Sequence, residues 1–214
     1  MKLSDYRDLM GGYKKKPSQS RSNKTSEDLM QTAIKIYEND LIGNFTAQSL
    51  AEKSGYSVGV LYRFANKFED YFINIFVDKV LIQMSEMENI ISSHNPNDNV
   101  KSLIVKYVDH SFSFNTYNGN PRKGIAHVIR FFIRRGKKPE IIFNLTDSLT
   151  SAFLLVQQND KTNTFKKMSA LECTLKLRAF SLYIRTPYMD PNNTLDVLEH
   201  KQSCIDFGAL IFSN

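Results

Sequence analysis

Apolar residues recur along most of the chain three and four positions apart, the repeat of one face of an α-helix, and strict alternation is scarce. The first such stretch follows Thr25-x-x-Asp28, which reads as a capping box. The Thr25 hydroxyl would take a free N–H of the first turn, and Leu29, Met30, Ala33, Ile34 and Tyr37 would form one inward face. That helix is expected to end near Asn39 or Asp40. Thr46 is the predicted N-cap of a second helix over residues 47–53, with Leu50 and Ala51 inward and Phe45 just outside it. Gly55 breaks this helix. Ser57 is placed to cap a short third segment, residues 58–64, whose inward positions are Val58, Leu61 and Phe64. A second box, Asn66-x-x-Glu69, opens a long helix through Tyr71, Phe72, Ile75, Phe76, Val80, Leu81 and Met84 toward Ile91.

Further helical stretches follow over residues 100–114, 125–132, 141–156, 165–184 and 194–212, separated by breaks at 95–98, 115–121, 159–163 and 187–191. The pattern predicts an all-α protein of about nine helices, with a small N-terminal three-helix domain joined by a long helix to a C-terminal helical bundle. The expected organisation is a flexible basic N-terminal arm over residues 1–24, a compact domain over 25–72 and a larger one over 73–214.

Composition narrows the function. Of 214 residues, 42% are hydrophobic and 23% charged, enough to fill a core and too apolar for a disordered chain. Only 9 are glycine, and neither G-x-G-x-x-G nor G-x-x-x-x-G-K-[ST] occurs, so nucleotide-cofactor folds lose their support and no cofactor is expected. Cys173 and Cys204 are too few for a disulfide scaffold or a four-cysteine zinc site, and read as buried thiols in a reducing cytosol. The first 24 residues lack an apolar stretch, and no run approaches about 18 uninterrupted apolar residues. A soluble, cytoplasmic protein without a membrane partner is therefore expected, and the Asn-x-Ser/Thr matches at Asn23, Asn44, Asn144 and Asn192 carry no meaning for glycosylation.

Charge is unevenly distributed. Lys and Arg number 28 against 22 Asp and Glu, a formal net charge of +6. Lys14, Lys15, Lys16, Arg21 and Lys24 lie in a stretch with no acidic residue, so this arm alone nearly matches the net charge. It is either an ordinary solvated terminus or a phosphate-binding extension that orders on a nucleic acid. A second basic run holds Arg122, Lys123, Arg130, Arg134, Arg135, Lys137 and Lys138. It reads as a solvated face, an attractor for an anionic effector, or an interface element.

The spacing from Ala47 to Phe64 carries the central argument. Two helices crossing steeply need a small side chain where their backbones meet, which Ala51 supplies, and the tight turn needs a residue tolerating left-handed dihedrals, which Gly55 supplies. This is a helix-turn-helix or, on the bland reading, a hairpin in an ordinary bundle. The outward positions of the third segment are Ser57, Gly59, Tyr62 and Arg63, with Lys67 beyond, and no acidic residue lies between Gly55 and Asn66. Gly59 has no side chain to hold the backbone away from a major groove. Tyr62, Lys67 and Thr46 are placed for phosphates. Ser57, Gly59, Val60 and Arg63 are placed for base edges, Arg63 being the one capable of a bidentate guanine contact or, alternatively, of a phosphate contact.

The stretch F-T-A-Q-S-L-A-E-K-S-G-Y-S-V-G-V-L-Y-R-F, Phe45 to Phe64, followed by N-K-F-E-D-Y-F, Asn66 to Phe72, resembles the DNA-binding domain of the TetR family of bacterial transcriptional regulators. The resemblance implies that Thr46, Tyr62 and Phe64 meet the DNA backbone while Ser57, Val58 and Gly59 lie at base edges. It further implies a homodimer on a palindromic operator, repression in the sense usual for the family, and release or modulation by a small-molecule effector bound in the C-terminal domain. The family commonly has Phe at the position of Ala65 and a phosphate-contacting Lys at that of Phe68; Lys67 or the basic arm would replace the latter.

Other chemistries fit less well. Gly55-Tyr56-Ser57-Val58-Gly59 matches the G-x-S-x-G nucleophile elbow of esterases, but that elbow needs a preceding strand, and Leu50 to Ser54 reads as helix. His94, His110, His127 and His200 form no i,i+4 pair with one another and no H-E-x-x-H, so no metal site and no enzyme is expected. The non-enzymatic alternative is a helical protein-interaction or RNA-binding module without sequence-specific duplex binding. An effector pocket, if present, is expected beside helices 100–114, 122–134 and 141–157, at Tyr107, His110, Phe131 and Phe153, although each aromatic reads equally as core. The last two helices, about 165–184 and 194–212, offer Leu171, Leu175, Phe180, Leu182, Leu195, Leu198, Ile205, Ala209 and Phe212 either to the chain's own core or, as the resemblance implies, to a two-fold partner.

Overall fold

The computed structural model describes residues 20–38, 46–65, 68–117, 120–121, 146–189 and 196–214. Among these it is all-α. The helices are α1 (Ser20–Glu38), α2 (Ala47–Ser54), α3 (Val58–Phe64), α4 (Glu69–Ser92), α5 (Val100–Asn115), α6 (Thr146–Asn159), α7 (Ala170–Arg185) and α8 (Val197–Phe212), with a 3-10 turn at Thr186–Met189. The extended structure is a two-residue antiparallel pair, β1 (Thr116–Tyr117) with β2 (Asn120–Pro121), and an isolated bridge from Phe165 to Ser213. The chain divides into two compact units, Met1–Leu81 and Ile82–Asn214, with the division falling within α4.

Three helix starts differ from expectation, each for a local reason. α1 begins at Ser20, so Thr25 lies inside it and is no cap; neither glycine nor proline interrupts the chain between the two. α7 begins at Ala170 instead of residue 165, because Phe165 is held in the bridge to Ser213 and Ser169 caps the helix by accepting from the Glu172 N–H at 3.2 Å. α8 starts at Val197, where Asp196 accepts from the N–H groups of Leu198 and Glu199. The expected helices over 122–134 and the box at Asn66 lie outside the described residues.

The first unit closes on Leu29, Ala33 and Ile36 from α1, Leu50 and Ala51 from α2, Leu61 and Phe64 from α3, and Tyr71 from α4. Burial of α1 thus follows positions 29, 33 and 36, while Met30 and Ile34 only edge the core. In the second unit α5 packs on α8, α6 on α7, and α7 on α8. Phe153, Phe165, Phe180 and Phe212 make its aromatic centre, with Phe153 and Phe212 centroids 4.6 Å apart. Gly208 lets α8 approach: a Cβ there would lie 2.6 Å from Ile104 Cγ2 and 2.7 Å from Phe180 Cζ.

Candidate nucleic-acid interface

α2 is fixed at both ends by its own sequence. Thr46 Oγ1 accepts from the Ser49 N–H at 3.1 Å, and Ser49 Oγ returns the bond by accepting from the Thr46 N–H at 3.0 Å. At the other end Gly55 adopts φ 73°, ψ 16°, and the Tyr56 N–H donates to the Ala51 carbonyl at 3.1 Å. No atom lies within 4 Å of where a Gly55 Cβ would be, so the glycine answers the dihedral and not crowding. Ser57 follows a helix and a turn, where a nucleophile elbow would require a strand.

The turn is tied to the rest of the unit by two tyrosines that the spacing argument did not single out. Tyr56 Oη donates to Asp28 Oδ2 at 2.8 Å, and Thr25 is a second hydrogen-bond partner of the same hydroxyl. Thr25 and Asp28, expected to cap α1, instead clasp this phenol from one face of the helix. Asp28 stabilises the protonated phenol and so raises its pKa above the ordinary 10.0, with Thr25 acting in the opposite sense. Tyr71, fully buried, donates to the Leu61 carbonyl at 3.0 Å, and burial pushes its pKa well up.

α3 presents two faces. Leu61 and Phe64 are buried, and Val58 and Val60 pack half-buried against the same core. Ser57, Gly59, Tyr62 and Arg63 are exposed, Tyr62 at 42%. Ser57 occupies the N-cap position, yet its side chain makes no capping bond, contrary to expectation. A Cβ on Gly59 would meet only Ser57 Oγ, at 3.9 Å, so the fold leaves open space outside this residue. Phe64, which the resemblance implied at the DNA backbone, is 7% exposed and works as a core side chain. Val58 likewise turns toward the core. Thr46 and Lys24 are exposed, whereas the side chain of Arg21, and Lys14, Lys15, Lys16 and Lys67 entirely, lie outside the described residues.

The expected pocket residues of the second unit separate. Tyr107 is buried on a small recess and its hydroxyl lies 3.0 Å from Ser181 Oγ. His110 Nε2 sits 3.5 Å from Glu86 Oε2, ion-pair distance without hydrogen-bond geometry. Phe153 is sealed in the aromatic centre and does not line the recess, and Phe131 lies outside the described residues. The recess is bordered by α4, α5 and α7, where 122–134 and 141–157 had been expected beside α5. Its volume of about 10 Å³ is room for roughly one water. Arg185 and Ser181, which line it, gave no sequence signal beyond lying on an apolar-periodic helix.

The last two helices divide their apolar residues. Phe180, Ile205 and Phe212 are buried, while Leu171 (70% exposed), Leu175, Leu182 and Leu198 (76% exposed) face outward, joined by Tyr183 and Leu210. Ala209 is half-buried and Leu195 lies outside the described residues. Among the described residues no helix is long and apolar enough to cross a membrane, and no three His, Cys, Asp or Glu side chains gather as a metal site.

The fold is similar to that of a solved structure of a TetR-family transcriptional regulator from Mesorhizobium loti, with a TM-score of 0.56 and 10% sequence identity, over 92% of this chain and 100% of that one. At such identity the likeness is one of fold. No protein-family model and no curated protein matches the sequence.

Proposed function

We propose that the chain is a DNA-binding transcriptional regulator, a repressor that reads a palindromic operator as a homodimer and is released or modulated by a small-molecule effector. The observation that carries this reading is α3: a short helix anchored by Leu61 and Phe64 whose outward face is Ser57, Gly59, Tyr62 and Arg63, free of acidic side chains. Such a face suits a major groove, with α2 and α3 as a helix-turn-helix. Ser57 Oγ, unused by its cap, and the open backbone at Gly59 would meet base edges, while Arg63 would read guanine or bind phosphate. Thr46, Tyr62 and Lys67 would take phosphates, supported by Lys14, Lys15, Lys16, Arg21 and Lys24. Phe64 and Val58 would serve by holding the helix.

The exposed leucines of α7 and α8 support the dimer. Large apolar side chains at more than two-thirds exposure, as at Leu171 and Leu198, are costly in water and would be covered by a two-fold mate. Two heads are needed because one makes too few contacts for operator affinity. Selection of bound duplexes from a random pool tests the reading directly. The expected product is a palindrome bound more weakly as salt rises; recovery of no preferred duplex sequence would sink it in favour of an interaction module.

A further inference from the structure

The recess between α4, α5 and α7 holds a positive charge with no counter-charge among the described residues. Arg185, the last residue of α7, is half-buried on its wall. Two ion pairs among the described residues of this unit, Glu172 with Lys176 and Asp109 with Lys201, leave it out, as does the approach of Glu86 to His110. Loss of solvent lowers its pKa, and the phenol of Tyr107 is the influence acting the other way. A guanidinium remains charged even so, and a desolvated charge gains most from an anion brought to it.

The neighbouring groups suit such an anion. Tyr107 Oη and Ser181 Oγ, 3.0 Å apart, share one hydrogen bond, and two hydroxyls joined by one bond leave one O–H proton over. That proton can be donated to an acceptor beside Arg185. Gln83, buried on the same wall, adds a carboxamide. The rest of the wall is Met84, Met87 and Ile184, with Ser111 as one further buried polar residue. Methionines repack readily, so a recess now the size of a water can widen along that side. One guanidinium beside an apolar wall fits a monocarboxylate with a short hydrocarbon chain better than a phosphate dianion, which would call for further cations.

We infer that this recess is a carboxylate site: Arg185 binds the carboxylate, the Tyr107–Ser181 hydroxyl pair orients it, and Met84 and Met87 receive its chain. Its regulatory meaning rests on the effector reading above. Calorimetric titration of the full chain with hexanoate, and with hexanamide and inorganic phosphate as comparisons, is the test. Hexanoate is expected to bind at least about tenfold more tightly than either, and Arg185→Met to remove that preference while Arg185→Lys keeps part of it. Should Arg185→Met fail to fold, Tyr107→Phe is expected to weaken hexanoate more than hexanamide. Absence of hexanoate binding, equal binding of the amide, or a preference untouched by these variants would overturn the site. Operator affinity, measured in parallel on the selected duplex, separates the two claims. Hexanoate binding that leaves operator affinity unchanged removes the effector role and keeps the site; operator binding without hexanoate binding removes the site and keeps the regulator.

Discussion

Tyr56 and Asp28 stand 28 residues apart, and their bond decides how the α2–α3 turn is held to α1. The sign of its pH dependence follows from the raised phenol pKa. A group whose folded pKa exceeds its unfolded value contributes stability that is whole below the unfolded value of 10.0 and is lost as pH rises through the folded one. Wild type should therefore lose its stability advantage over Tyr56→Phe as the pH is raised from neutrality to above 10, in thermal melts of the two proteins. A melting difference that stays constant over that range would remove the clasp. The cysteines make a separate prediction. Burial pushes the Cys204 thiol up to about 12 and the Cys173 thiol, with Glu172 assisting and Lys176 opposing, to about 11. Both should stay unmodified by iodoacetamide at pH 8 in the native protein and react only on denaturation. Cys204 also lies 3.5 Å from His200 Nε2, but a thiol held in this way is an inert core group.

Element by element, α3 would on the proposed reading separate folding from recognition, since its inward and outward residues are different side chains. Gly59→Ala meets no clash and replaces a helical glycine, so it should hold or raise stability, by up to roughly 1 kcal/mol. On the proposed reading it should at the same time weaken operator binding about tenfold or more, by holding the backbone off the groove. Thermal melts and a duplex-binding titration on one preparation check both halves; unchanged binding would take Gly59 out of the interface. Gly208 is the opposite case. There the added Cβ falls on Ile104 and Phe180, and Gly208→Ala should destabilise by about 1–3 kcal/mol in denaturant unfolding without a route through DNA contacts. Periodicity put Gly59 on the outward face of its helix and said nothing of what Gly208 meets. Both lie in apolar-periodic helices, and only the neighbours contributed by distant elements give one open space and the other a wall.

At the scale of the whole molecule, the exposed leucines of α7 and α8 predict the assembly. Leu171→Glu together with Leu198→Glu should convert the proposed dimer to a monomer by light scattering, with helical content retained, because neither side chain is part of the chain's own core. A monomeric wild type would refute the proposed interface. What the sequence by itself determined was local: the all-helical class, the Thr46 cap and Gly55 bend of α2, the inward Leu50, Ala51, Leu61 and Phe64, and the polar face of α3. These follow from helical periodicity, hydrogen bonds spanning four residues, and one left-handed dihedral, all written in neighbouring positions. Only the tertiary structure decided that Thr25 and Asp28 clasp Tyr56 and do not cap a helix, that Phe153 is core while Tyr107 lines a recess with Ser181 and Arg185, and which leucines of α7 stay uncovered. A helical repeat says which residues share a face. It does not say what lies opposite that face, since that depends on chain brought in from far along the sequence and packed at van der Waals contact.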